Sequence, residues 1–182
     1  MDERRPGIRP RPSLWRRLDA AARRAFPAAL AGLALLFLAA PFGLPAQAEL
    51  QPEILLASTF FWSLYRPQAM PPPVVFLLGL VSDLLSGMPV GVSVITLLLV
   101  QGFVFRWRRF LTRQSFAVVW LVFSALAIVS AVLDWALVCA LRATVFPFAP
   151  AVIEACLGIG FYPGLALLFI RAHRGPAAPE LA

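Results

Sequence analysis

Five residues at a common spacing are the first candidates for chemistry in this chain. Gly79, Ser82, Asp83, Ser86 and Gly87 fall at i, i+3, i+4, i+7 and i+8 of an otherwise apolar run, so on a helix they form one small and polar stripe. Asp83 lies ten residues past Pro73, about 15 Å along a helix. A carboxyl at that depth has two uses. It packs helices, accepting hydrogen bonds from hydroxyls such as Ser93 or Thr96 across the turn that holds Gly87, Pro89 and Gly91, or it relays protons or binds a ligand.

Catalysis has little to stand on. The one histidine, His173, is in the C-terminal tail, so the apolar segments offer neither an imidazole cluster for a metal nor a base for a serine nucleophile. Gly91-Val92-Ser93-Val94 lacks the second glycine of a nucleophile elbow. Asp83 and Asp134 stand in no motif specific for an aspartyl dyad, and their depths differ. Cys139 and Cys156 read as two unpaired buried thiols. The expectation is a protein that is not an enzyme and uses no metal or cofactor.

The elements that position these residues follow from composition. Apolar residues are 60% and charged residues 14% of 182, with a mean hydropathy of +0.82, against about 45 to 50% and about 25% in soluble domains. A soluble globule of this size has too little interior for that much apolar surface, so most of the chain has lipid as its solvent. Six apolar stretches, 26–44, 50–65, 72–86, 89–105, 116–141 and 150–170, fit bilayer spans of about 20 residues with connections no longer than a turn. That excludes a large extramembrane catalytic domain, a disordered chain, a disulfide scaffold and a nucleic-acid domain. The expected fold is all-α and polytopic: six transmembrane helices over 26–171, a Pro/Arg-rich cytoplasmic tail over 1–25 and a cytoplasmic tail over 172–182.

Two further readings concern span 3 and the small residues. At the centre of a span an acid costs about 2.5 to 3.5 kcal/mol, and each large apolar residue offsets about 0.3 to 0.6. The stretch 72–86 is therefore marginal alone and depends on neighbours that satisfy Asp83. Ser124, Ala127, Ala131 and Asp134 repeat the stripe on span 5, and Cys156, Gly160 and Gly164 step by four along span 6 with Pro163 as a kink. Spans 3 and 4 are short, so their turn sits below the outer surface, which makes an outer recess plausible.

Arginine sets the orientation. All sixteen basic residues are arginine. With both termini inside, fifteen of them fall on the cytoplasmic side, eight in the N-terminal tail with Arg66, Arg106, Arg108, Arg109, Arg113, Arg171 and Arg174, and only Arg142 falls outside, as the positive-inside rule requires. Glu49, Glu53, Asp134 and Glu154 sort to the outer side, either as an acidic periplasmic rim or as carboxylates hydrated at the interface. Residues 1–12 read as disordered. Ser13 caps a short interfacial helix anchored by Trp15, or the tail is a topology determinant alone. The run Pro45-Ala46-Gln47-Ala48 has the look of an A-x-A cleavage site, whose use would leave five spans, but the 25 residues before Phe26 are long for a signal n-region.

Two strings carry a resemblance: Phe61-Trp62-Ser63-Leu64-Tyr65-Arg66-Pro67, and Gly79-Leu80-Val81-Ser82-Asp83-Leu84-Leu85-Ser86-Gly87-Met88-Pro89-Val90-Gly91. Together they resemble the signature of the MreD family, the small integral membrane subunits of the bacterial rod-shape machinery, over about 60–116. The long Pro/Arg tail departs from the pattern. The resemblance implies a non-enzymatic inner-membrane scaffold that binds MreC and, through it, joins RodA, a penicillin-binding transpeptidase and MreB in lateral peptidoglycan synthesis. It also implies a fold similar to the S components of energy-coupling-factor transporters, and so a rival reading as a small-molecule-binding transporter subunit. Arg66, Pro67, Gly79, Asp83, Gly87, Pro89 and Gly91 are the implied partner or structural residues. Ser82, Ser86, Asp134, Gly160 and Gly164 are expected to pack helices.

Overall fold

The computed structural model describes residues 14–40 and 47–174, without the side chains of 14, 16–21, 23, 24, 47–49 and 172–174. Ser13, the tail 1–12, Pro45 and Ala46 of the cleavage-like run, the side chains of Glu49 and His173, and residues 175–182 lie outside what is described.

Six helices and, among the described residues, no strands make up the fold: α1 (Leu14–Ala39), α2 (Gln47–Tyr65), α3 (Pro72–Ser86), α4 (Val92–Leu111), α5 (Phe116–Arg142) and α6 (Ala149–Arg174). The residues expected to form an interfacial helix and those expected to begin the first span make one continuous helix, with Pro27 inside it. Pro72 and Pro73 open α3 and Gly87 closes it in the left-handed conformation (φ 63°), where a β-carbon would be strained. The fourth helix starts at Val92, three residues later than expected, and runs on to Leu111 through the arginines. Among the described residues, α5 and α6 are each long and apolar enough to cross a membrane, judged by length and composition. At 15 residues, α3 reaches about 22 Å, short of the ~30 Å of a bilayer core.

The centre of the bundle is α2, whose residues from 55 to 64 are all buried. It packs against every other helix, most extensively α6, α4 and α1, while α3 pairs with α4 and α5 with α6. Aromatic rings fill the joint of α2, α5 and α6. Phe123 and Tyr162 stack at 4.0 Å between centroids, and Phe60 meets both edge-on, the arrangement that ring quadrupoles favour. The Phe61-Trp62 pair lies against Phe169 in the same core. The first family-like string is thus core packing that ends in a stop. Arg66 closes the last turn through its N–H to the Trp62 carbonyl, and Pro67, which cannot extend a helix, follows.

Side chains from α4 fasten the end of α2. Arg108 Nε donates to the Leu64 carbonyl at 2.7 Å, and buried Gln101 Nε2 donates to the Met70 carbonyl at 2.7 Å. Each supplies a donor to a carbonyl that the end of α2 or the connection leaves without a helical partner.

Polarity is inverted relative to a soluble bundle. Ser58, Thr59, Ser63, Asp83 and Gln101 are buried, while Leu84, Leu99, Leu121 and Leu167 are each more than half exposed, and large apolar side chains face outward from α1, α3, α4, α5 and α6. A continuous apolar exterior far exceeds the patches that a soluble monomer exposes.

Candidate functional site

The second family-like string folds into a hairpin in which Asp83 caps its neighbour. Gly91 holds the N-cap position of α4 with φ 108°, a left-handed conformation that glycine tolerates and a side chain would strain. Glycine there has no side-chain oxygen to offer the free N–H groups of the helix start. Asp83, reaching over from the end of α3, supplies both. Gly91 N–H donates to Oδ2 at 2.7 Å and Ser93 N–H donates to Oδ1 at 2.9 Å. A carboxylate at a helix N-terminus also meets the positive end of the macrodipole.

The hairpin needs close helices. Gly79 is buried, and a β-carbon on it would sit 2.8 Å from the Val94 Cα. The turn is held further by the Gly87 and Met88 N–H groups, which donate to the Asp83 carbonyl, and by Arg142, which donates to the Gly87 carbonyl at 2.9 Å. The stripe therefore divides: Gly79, Ser82 and Asp83 face protein, while Ser86 and Gly87 are exposed and Pro89 is half-buried in the turn.

Two expectations are corrected at this site. Asp83 was expected to meet the hydroxyls of Ser93 or Thr96; it takes backbone amides, and the Thr96 hydroxyl donates to Asp134. Asp83 and Asp134 thus have separate partners. Glu53 was expected at a hydrated interface or rim; it is 3% exposed, because α2 is central and its first turns lie among the other helices.

Beside the hairpin is a polar recess that the sequence placed only by region. Glu53, Asp134 and Glu154 line it together with Ser82, Ser93, Thr96 and Ser130, and its enclosed space is about 10 Å³. That is room for the centre of one water-sized group. Gly158 makes it possible, since a β-carbon there would overlap the Glu53 carboxyl. The spacing of Gly158, one helical turn after Glu154, was the available signal for this.

The α6 stripe points the other way. Cys156, Gly160 and Gly164 are exposed, and the two glycines have open space where a β-carbon would be. Neither glycine packs against a described helix on that face. Cys156 is correspondingly not the buried thiol that was expected, and Cys139, half-buried, accepts the Phe146 N–H at 3.4 Å. Among the described residues, no group of three acidic, histidine or cysteine side chains is placed to hold a metal ion.

Charge separates along the bundle. The end with the 87–91 turn holds Glu53, Asp134 and Glu154 with one arginine, Arg142, and the opposite end, where α2, α4 and α6 finish, holds Arg66, Arg106, Arg108, Arg109 and Arg171. Among known families, the sequence model of one described as rod shape-determining protein MreD matches residues 25–171. Neither the curated proteins nor the solved structures yield a match.

Proposed function

The chain belongs to the MreD family of rod shape-determining membrane proteins, and from that premise we propose that it is a non-enzymatic scaffold of the bacterial inner membrane that binds MreC. Through MreC it joins RodA, a penicillin-binding transpeptidase and MreB, and supports lateral peptidoglycan synthesis. The observation that carries the partner-binding role is the exposed, open-faced α6 stripe. In lipid, helices associate where small residues let backbones approach, and Gly79, the alternative stripe, is already occupied by Val94. The 25-residue tail, the core 26–171 and the tail 172–182 are taken as its three parts, and the six helices as spans in an arrangement like that of transporter S components.

The rival, a vitamin-binding transporter subunit, calls for a pocket of about 300 to 1,000 Å³ with convergent polar groups. The small recess favours the scaffold. Depleting the protein in a rod-shaped host with no second gene copy is expected to turn rods into spheres, with lateral wall synthesis lost and septal synthesis kept. Unchanged rods would put the transporter reading ahead.

Orientation follows from the charge separation. With the arginine end cytoplasmic, reporter fusions after Arg113 and at the C-terminus are expected to read cytoplasmic and fusions within 87–91 periplasmic. A periplasmic C-terminus would contradict six spans.

A further inference from the structure

A second cavity abuts the recess. Between α4 and α5, a groove of about 190 Å³ is lined by Leu99, Val100, Leu126, Val129 and Leu133, and it shares Thr96 and Ser130 with the acidic recess. Leu99 and Val129 are more than half exposed on the outer face of the bundle, so the groove opens sideways, toward lipid.

The recess has unmet hydrogen-bonding capacity. Ser82 Oγ, on a residue 1% exposed, and Glu53 Oε2 have no hydrogen-bond partner among the described residues. An unpaired buried polar atom carries its full desolvation cost, and ionised carboxyls about one small space repel one another, a repulsion that protonation or a joining positive charge relieves. The space takes a group the size of water. An ammonium has that size, and it brings three donors and a positive charge. The adjoining groove exceeds the ~150 Å³ apolar cavity that accommodates benzene, so it has room for a short apolar body.

We propose that the recess and groove together form a binding site for a membrane-dissolved primary amine, its ammonium among Glu53, Asp134, Glu154 and Ser82 and its apolar body along Leu126, Val129 and Leu133. The site is independent of the scaffold reading, since it lies on α2 to α6 near the 87–91 turn and not on the exposed α6 stripe. Its lateral opening suits a molecule that arrives through the bilayer.

The test is equilibrium dialysis of radiolabelled hexylammonium against the full chain in lipid nanodiscs, with empty nanodiscs subtracted. Saturable binding of one probe per chain is expected, with methylammonium competing weakly and hexanol not at all. Glu53→Gln should weaken hexylammonium about tenfold or more, the effect of losing one charge-assisted hydrogen bond. Leu133 lines the groove and not the recess, so Leu133→Trp should weaken hexylammonium and leave methylammonium competition unchanged. No binding beyond empty nanodiscs, hexanol competing as well as the amine, or unchanged affinity in a folded Glu53→Gln or Leu133→Trp protein would each overturn the proposal. Displacement of the probe by a copurified single-span partner would also overturn it, by assigning the recess to that partner's lysine.

Discussion

Asp83→Leu is expected to lower the stability of the purified protein by about 2 to 4 kcal/mol, since it strips a carboxylate from two backbone N–H groups at the start of α4. In a chain of this size that is a fall of roughly 5 to 15 °C in the thermal midpoint. The loss exceeds that of an ordinary cap because Gly91 cannot compensate: its φ of 108° keeps the N-cap position glycine, which has no side-chain acceptor to take over the Ser93 N–H. Membrane insertion should survive, as the substitution also removes an acid from the span. Asp83→Asn should fall between wild type and Leu. It keeps one acceptor oxygen, for either Gly91 or Ser93, and turns an amide NH₂ toward the other donor. Thermal unfolding in detergent reads both, and an unchanged midpoint for Asp83→Leu would contradict the capping account.

Gly160→Leu and Gly164→Leu are expected to do the reverse: leave folding and insertion intact and abolish rod shape. Both positions face open space, so a larger side chain meets no helix of its own bundle and its cost to stability should stay within about 0.5 kcal/mol. A partner helix docked on the stripe could no longer approach closely, and dispersion contacts over the whole crossing would be lost. Complementation of a depletion strain reads the effect, with cell width and roundness as the measure. Wild-type rods from both variants at normal expression would place the interface elsewhere.

What was legible from the sequence is what hydropathy and backbone punctuation encode. The bounds 72–86 of α3 came out as expected because prolines open it and glycine closes it; Arg66, Arg106, Arg108, Arg109 and Arg171 fall at one end and Arg142 at the other, since charges keep to the ends of spans. Burial was harder. In a soluble helix the apolar face is the buried face, but in lipid both faces are apolar, so nothing in the pattern marked α2 as the central helix or Cys156 as outward. The same ambiguity hid Glu53, which reads as interfacial by position and is buried by packing. Asp83 was singled out, while its partners were sought among side chains. Backbone amides at a helix start leave no trace in residue type, except for the glycine at 91 that makes an outside cap necessary. Gly158 went unmarked beside the more regular Gly160 and Gly164, although it is the α6 glycine with a close neighbour inside the bundle.

The central claim, partner binding in the membrane through α6, is tested most directly by affinity purification from native membranes of wild type, Gly160→Leu and Gly164→Leu side by side. The account predicts MreC together with the wall-synthesis proteins in the wild-type eluate, and their loss from both variants at equal yield of folded protein. Transporter ATPases in place of MreC, or MreC retained at wild-type level by both variants, would contradict it.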